Sequence, residues 1–146
     1  MSRISGRNSK PEMLIRRGLH SLGLRYRLHD RALPGRPDLV FPRYRAVVFV
    51  HGCFWHAHRC MLSKLPTTRV EFWRRKLTDN ARRDEAAITA LWASGWRVLV
   101  IWECALRGPG RAKMDSVLGR ASRYIREGKA RLLQIGGSDS GRQDDN

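Results

Sequence analysis

Apolar positions recur with a helical period near the start of the chain. Ser9 and Glu12 have capping-box spacing and Pro11 lies between them, a combination that marks the first turn of a helix. Apolar side chains then follow at intervals of three or four positions until Gly23. They are Leu14, Ile15, Leu19 and Leu22. The pattern predicts an amphipathic helix that begins after Ser9 and ends before Gly23.

Short apolar or alternating stretches after this helix predict strands. LRYRL at 24–28 alternates as a half-buried strand does, and the Pro-Gly turn of LPGRPDLVF leads into a short apolar strand. AVVFV at 46–50 and WRVLVIW at 96–102 are apolar almost throughout. Such stretches are typical of strands that are covered on both faces, so AVVFV is predicted to be central in its sheet.

Two longer helical patterns lie on either side of WRVLVIW. The first runs from about Arg69 to Ala93 and is followed by Gly95, and the second covers roughly Arg111 to Glu127. The apolar side of the first pattern consists of Val70, Trp73, Leu77, Ala81, Ile88, Leu91 and Trp92. Three tryptophans are predicted to belong to the core, namely Trp92, Trp96 and Trp102.

The order of these elements predicts a mixed α/β fold with a central sheet flanked by helices. The chain has 146 residues, which is enough for one domain with a real core and too short for two of ordinary size. We therefore expect one domain over residues 1–135. The remaining stretch, GGSDSGRQDDN at 136–146, has nothing to bury and is predicted to be a disordered tail.

The net charge of the chain indicates the class of molecule that it binds. The chain has 29 Lys plus Arg against 13 Asp plus Glu, a formal net charge of +16, which favours a polyanionic partner such as nucleic acid. The alternative is a solvated Arg-rich surface without such a partner. No stretch approaches the roughly 18 apolar residues of a membrane span, so we expect a soluble, intracellular protein without a membrane partner.

The stretch HGCFWHAHRC at 51–60 contains three of the five His and two of the three Cys. Cys53, His58 and Cys60 have the spacing C-x4-H-x-C, and Cys104 follows WRVLVIW as a fourth soft ligand. If AVVFV and WRVLVIW are parallel neighbours, Cys53 and Cys104 emerge at the same sheet edge. Four such ligands suit a structural Zn²⁺. The alternative is that the cysteines are small core residues.

Two histidines of this stretch are not needed for zinc, and an acidic residue precedes a neighbouring strand. Asp38, His51 and His56 are therefore candidates for one Mg²⁺-dependent nuclease site, in which the ion neutralises phosphate charge and a His takes a proton from water. The alternative is that Asp38 is a turn residue. Three aromatic residues are candidates for a wedge that enters a base stack: Phe54, Trp55 and Trp73. The alternative for Phe54 and Trp55 is packing over the sheet edge, and the alternative for Trp73 is a place in the core.

Several blocks of the chain resemble those of the very short patch repair (Vsr-type) DNA mismatch endonucleases. The blocks, in order, are RNSKPE, GLRYRLH, LPGRPDLVF, VVFVHGCFWHAHRC, TRVEFW and GWRVLVIWECAL. The resemblance covers about residues 3 to 130. It implies a restriction-endonuclease-like fold and a nick in one strand of duplex DNA, on the 5′ side of the T in a T:G mismatch left by deamination of 5-methylcytosine.

The resemblance also implies roles for single residues around a catalytic Mg²⁺. Asp38 would hold the ion together with the main-chain oxygen of Val50, where the family typically has Thr. His56 would be the general base and His51 an accessory group at the scissile phosphate. Glu12 matches an acidic position near the active centre, and Asp84 is a candidate partner for a catalytic His.

The remaining implied roles concern recognition, stability and partners. Phe54, Trp55 and Trp73 would form the wedge beside the mismatch. The structural zinc ligands would be Cys53, His58, Cys60 and Cys104. The implied partners are T:G-mismatched double-stranded DNA, mismatch-repair proteins and a repair polymerase, with a monomer acting in the bacterial cytoplasm at the nucleoid. Two other functions stay open from the residues alone: a non-catalytic, zinc-stabilised DNA-binding module, and a thiol redox protein that uses Cys53 and Cys60.

Overall fold

The computed structural model describes residues 9–53, 67–107 and 112–137. Within these ranges the chain forms three α-helices, which are α1 (Lys10–Ser21), α2 (Val70–Ala93) and α3 (Met114–Glu127). The strands are β1 (Arg27–Leu28), β2 (Leu39–Phe41), β3 (Ala46–His51), β4 (Arg97–Trp102) and β5 (Leu132–Ile135). Short 3₁₀ turns follow β2 at Pro42–Tyr44 and β4 at Glu103–Ala105.

The five strands form one mixed sheet in the order β1-β2-β3-β4-β5. β2 pairs antiparallel with both β1 and β3, whereas β4 pairs parallel with both β3 and β5. The register places His51 opposite Trp102 at the carboxyl ends of β3 and β4. The prediction that AVVFV is central is therefore confirmed, and the parallel pairing with WRVLVIW on which the approach of Cys53 and Cys104 depended is present.

Helices cover the sheet on both sides. One apolar cluster joins the sheet to α1 and α3 through residues such as Ile15 and Ile125, and a second joins it to α2 through Leu91. Successive side chains of a strand point to opposite faces, and β3 accordingly sends Val48 into the first cluster and Val47 into the second. The predicted mixed α/β fold with a sheet between helices is confirmed.

α1 begins as the capping pattern predicts and packs closely against α3. The Glu12 amide donates to Ser9 Oγ at 3.4 Å, which satisfies one of the unpaired donors of the first turn. A Cβ on Gly18 would lie 2.4 Å from a methyl group of Leu118, so glycine permits the close approach of the two helices. The predicted stripe was wrong for Leu14 and Leu22, which are 41% and 45% exposed: Leu14 lies beside the buried face of Ile15 and Leu19, and Leu22 follows the last helical residue.

Two stretches differ from their predicted secondary structure. LRYRL forms only the two-residue strand β1, because Leu24 turns into the core and the Tyr26 hydroxyl donates to the Arg16 carbonyl at 3.0 Å. The strand β5 was missed, since its sequence LLQI has no clear alternation. Its Gln134 accepts a hydrogen bond from the indole Nε1 of Trp102 at 3.0 Å, which ties this edge strand to β4.

The three tryptophans predicted to lie in the core are only half-buried. They pack against the second cluster from its rim. Guanidinium groups cover two of them: Arg45 lies 4.4 Å from the ring centre of Trp96, and Arg131 lies 4.3 Å from that of Trp92. Cation–π contact therefore replaces part of the expected apolar burial.

The remaining expectations of the fold concern the membrane and the tail. In the part of the chain that the structure describes, no helix has both the length and the apolar character needed to cross a membrane. Of the predicted tail, Gly136 and Gly137 are described, and the Gly137 amide donates to Cys104 Sγ at 3.2 Å. Residues 138–146 lie outside the described residues.

Candidate active site

Asp38 lies directly before β2 and is fixed by its neighbours on both sides. Its Oδ2 accepts a hydrogen bond of 2.7 Å from the Val50 amide of β3, and its carbonyl accepts one of 3.1 Å from the His29 amide. The first contact follows from the antiparallel pairing of β2 with β3, and the second extends the pairing of β1 with β2 by one residue. The strands on both sides of β2 therefore hold the carboxyl group in one place.

Glu12 and His29 complete a cluster around this carboxyl group. One ligand atom from each of Glu12, His29 and Asp38 lies within 4.8 Å of the other two. Glu12 comes from the first turn of α1 and is only 1% exposed. Its Oε2 lies 2.6 Å from His29 Nε2 and 3.2 Å from an Arg16 nitrogen. The sheet and α1 thus bring two carboxyl groups and an imidazole together.

The electrostatics of the cluster favour a positive charge beside Asp38. Burial raises the pKa of Asp38 from its ordinary value of 3.8 to about 7, the Val50 amide opposes this rise, and the negative charge of Glu12 adds to it. At neutral pH the carboxyl group therefore takes up a proton readily, and a cation that binds there can replace this proton.

The donors of the cluster fit a divalent cation. Carboxylate and main-chain oxygens are the ligands preferred by Mg²⁺ and Mn²⁺. In a strand, the amide and the carbonyl of one residue point to the same side. Because the Val50 amide points at Asp38, the Val50 carbonyl lies on that side of β3 as well. Asp38, Glu12 and the Val50 main chain can therefore contribute oxygen ligands to one ion.

His51 occupies the other face of the sheet from the side chain of Val50. Its imidazole is buried and lies 5.3 Å from the ring of Phe49 and 5.2 Å from that of Trp102, measured between ring centres. Together with Asp84 of α2 it lines a pocket of about 450 Å³ between α2 and the sheet. Two consecutive residues at the end of β3 therefore connect the Asp38 cluster with a separate pocket that contains His51 and Asp84.

The two described cysteines lie beyond the ends of parallel neighbours. Cys53 and Cys104 are both buried, two positions after the paired residues His51 and Trp102. The Cys53 amide donates to Glu103 Oε1 at 3.2 Å, so the two segments are in contact. The predicted approach of both cysteines to the same sheet edge agrees with this geometry.

Trp73 is the described member of the predicted aromatic wedge. It lies in the first turn of α2, is half-buried, and makes an edge-to-face contact of 5.3 Å with the ring of Phe72. Phe72 is 44% exposed, and the Arg69 guanidinium lies 4.3 Å from its ring centre. The start of α2 thus presents an aromatic pair with a cationic neighbour.

Five predicted site residues lie outside the described residues: Phe54, Trp55, His56, His58 and Cys60. Among the described residues, the structure brings Glu12 close to Asp38, to which the Val50 amide donates, and places Asp84 and His51 in the lining of one pocket. The roles predicted for the described residues and for these five all remain predictions.

Sequence reasoning missed His29 as a site residue. The register of β1 with β2 pairs Leu28 with Leu39, so the next pair in the ladder is His29 with Asp38. That register was the signal that could have identified His29, but LRYRL and LPGRPDLVF carry no marker of how they align.

Comparison with known proteins gives a consistent family. A family model described as "DNA mismatch endonuclease Vsr" matches residues 1–62. The chain is 46% identical over 120 residues to the type II nicking enzyme V.XorIIP of Xanthomonas oryzae pv. oryzae, which covers 81% of this chain and 88% of the relative. It is 45% identical over 125 residues to the DNA mismatch endonuclease Vsr of Escherichia coli, and this match covers 86% of this chain and 80% of the relative. With the nicking enzyme V.NmeAIP of Neisseria meningitidis the identity is 39% over 127 residues, covering 87% of each chain.

Proposed function

The chain belongs to the Vsr family of DNA mismatch endonucleases and is a DNA endonuclease. We propose that it uses Mg²⁺ to nick duplex DNA on the 5′ side of the T in a T:G mismatch. Such a mismatch arises when 5-methylcytosine is deaminated, and the nick begins very short patch repair. The relatives are named as mismatch and nicking endonucleases; the T:G substrate and the Mg²⁺ requirement are parts of the proposal.

The observation that carries the proposal is the buried acidic cluster beside the end of β3. Asp38 and Glu12 place two carboxyl groups within 4.8 Å of each other, and burial raises the pKa of Asp38 to about 7. A structural turn residue gains nothing from a second carboxyl group within 4.8 Å, because the two negative charges repel each other. A divalent cation, by contrast, compensates both charges.

The residues around the cluster support distinct tasks in phosphodiester hydrolysis. Asp38 and the main-chain oxygen of Val50 would hold the ion, and Glu12 would orient its water ligands or bind it directly. The chemistry supplied by bound Mg²⁺ is neutralisation of phosphate charge and stabilisation of the leaving oxygen. His56 would remove the proton from the attacking water, and His51 would assist at the scissile phosphate, with Asp84 on α2 close to the pocket that His51 lines.

Recognition of the mismatch would combine charge with aromatic insertion. Trp73 is followed on α2 by the exposed side chains of Arg74, Arg75 and Lys76, which can bind phosphates on either side of an inserted ring. Insertion between base pairs costs a few kcal/mol of stacking, and it costs least at a pair that is already weakened. A wedge of Phe54, Trp55 and Trp73 would therefore discriminate a T:G pair from its matched neighbours.

Two structural features complete the proposal. The mixed five-stranded sheet between helices is consistent with a restriction-endonuclease-like fold. The contact of Cys53 with the segment of Cys104 supports a structural zinc site that His58 and Cys60 would complete. A closed site of four protein ligands holds no water and performs no chemistry, so zinc would fix the segment after β3 and leave hydrolysis to the acidic cluster.

The test is a nicking assay with the full chain on labelled duplexes that differ only in one T:G or T:A pair. Wild type with Mg²⁺ is expected to nick the T:G duplex, and Asp38→Asn to lose roughly 10³-fold in rate, because a metal ion contributes several kcal/mol of charge stabilisation and each 1.36 kcal/mol is tenfold. Asp30→Asn is the matched control, since the Asp30 carboxyl group accepts a hydrogen bond from the Ala32 amide at 2.9 Å in the turn after β1 and does not belong to the acidic cluster of the described residues.

Two outcomes would contradict the proposal. Wild type that binds the T:G duplex without cutting it in any flanking sequence would favour the non-catalytic DNA-binding module. Asp38→Asn that cuts as fast as wild type would remove the acidic cluster from the reaction.

A further inference from the structure

His29 belongs to the acidic cluster, yet the proposed reaction gives it no task. It directly follows β1, and its side chain is 13% exposed, far less than that of a surface histidine such as His20. Its Nε2 points at Glu12, 2.6 Å from Oε2. The imidazole is therefore held in the cluster and is not a solvent-exposed side chain that only passes near it.

The backbone of His29 is also held in an uncommon conformation. Its φ angle is +48°, in the left-handed region that residues other than glycine seldom adopt. The hydrogen bond from its amide to the Asp38 carbonyl, 3.1 Å long, fixes this turn. Such conformations persist where the surroundings determine them, and they concentrate at functional sites. Here the result is that the side chain turns toward Glu12 and Asp38 and away from solvent.

The distances within the cluster suit a shared ion. Adjacent ligands of a six-coordinate ion with bonds of about 2.1 Å lie roughly 3 Å apart, and opposite ligands about 4.2 Å apart. The ligand atoms of Glu12, His29 and Asp38 lie within 4.8 Å of one another. Entry of an ion requires His29 Nε2 and Glu12 Oε2 to separate by a few tenths of an ångström, with the proton between them released to water.

We propose that His29 Nε2 is a direct ligand of the divalent ion at the Asp38 site and that it makes this site bind Mn²⁺ more tightly than Mg²⁺. This inference rests on the metal centre of the proposed function. Mg²⁺ strongly prefers oxygen ligands, whereas imidazole nitrogen suits the first-row transition metals. A cluster of two carboxylates and one imidazole therefore differs in selectivity from an all-oxygen site.

A hydrogen bond from His29 that merely positions Glu12 is the competing role, and one substitution separates the two. Glutamine in His29→Gln can still donate a hydrogen bond toward Glu12, but it can offer a metal ion only its amide oxygen, so coordination by nitrogen is lost. His29→Asn is a second variant, because Asn tolerates the left-handed backbone well. His20→Gln is the matched control, since it removes an imidazole from the exposed side of α1.

The experiment measures Mn²⁺ binding to the full chain by electron paramagnetic resonance, without DNA. The free Mn²⁺ signal gives the dissociation constant, pulsed measurements detect nitrogen bound directly to the ion, and competition with Mg²⁺ gives its affinity. Wild type and His20→Gln are expected to show nitrogen coupling. Both His29 variants are expected to lose it and to bind Mn²⁺ at least about tenfold more weakly, with less than about a threefold change for Mg²⁺. Circular dichroism and melting temperatures confirm that each variant is folded.

The outcomes distinguish this inference from the proposed function. Mn²⁺ that binds in an Asp38-dependent manner without nitrogen coupling, or with coupling that persists in His29→Gln, overturns the role of His29 and leaves the metal centre intact. If wild type and Asp38→Asn bind Mn²⁺ equally well, the proposed metal centre is wrong, and the inference about His29 is wrong with it.

Discussion

Asp38 is held in the site at a cost to the folded protein that depends on pH. Burial raises its pKa to about 7 in the folded chain, against an ordinary value of 3.8. The folded state therefore binds a proton more strongly than the unfolded state does between these two values. By linkage, the contribution of Asp38 to stability is fully present below about pH 4 and is lost as the pH rises through about 7.

Asp38→Asn is expected to stabilise the protein at pH 8 when no divalent ion is added. The amide stays neutral and can still accept the hydrogen bond from the Val50 amide, so the variant escapes the penalty of a buried charge. The measurement is the melting temperature of wild type and variant from pH 5 to pH 8. The advantage of the variant should grow with pH, and Asp30→Asn should show no such trend. An advantage no larger at pH 8 than at pH 5 would contradict the raised pKa.

Residue chemistry alone could identify only part of the site. Asp38 was found because Pro-Asp precedes an apolar strand, and Glu12 because it lies in a block that resembles the family. His29 escaped notice because its place depends on the register of β1 with β2 and on a left-handed turn. Hydrophobic periodicity predicts neither feature, because it indicates which face of a strand is buried but not how the strand aligns with its neighbour.

At the scale of elements, the parallel pair β3 and β4 determines where the chemistry lies. Val50 and His51 end β3 on opposite faces, and Cys53 and Cys104 follow the two strands at one edge. The apolar stretches AVVFV and WRVLVIW predicted two buried strands, but their parallel pairing was only assumed, because an apolar stretch does not show which strand lies beside it. β1 and β5 were shortened or missed because they are edge strands with two or four residues and little apolar alternation.

Cys104→Ser is expected to lower zinc content and stability together. A structural zinc site contributes to folding free energy directly, so the loss of one thiolate weakens both. Zinc per chain and the melting temperature are the measurements, and Asp38→Ala is the comparison that should keep its zinc. If Cys104→Ser retains both the zinc and the melting temperature of wild type, Cys104 is not a ligand.

At the scale of the whole molecule, the net charge of +16 has two uses. Some arginines serve the fold: Arg97 donates to the carbonyls of Tyr44, Tyr124 and Ile125, which ties the end of α3 to the sheet. Arg126 likewise donates to the carbonyl of Leu22 after α1 at 2.6 Å. Composition predicted the DNA partner correctly as a class, but it could not separate these structural arginines from the exposed ones on α2, because that distinction depends on tertiary packing.

The proposed function requires the chain to cut one strand at a defined bond beside a T:G pair. The most direct measurement is single-nucleotide mapping of the cut, with each strand of a T:G duplex end-labelled in turn and Mg²⁺ present. We expect one product, from the T-containing strand, that ends on the 5′ side of the mismatched T, with the G-containing strand intact. Cuts in both strands, or cuts in the matched T:A duplex at the same rate, would contradict it.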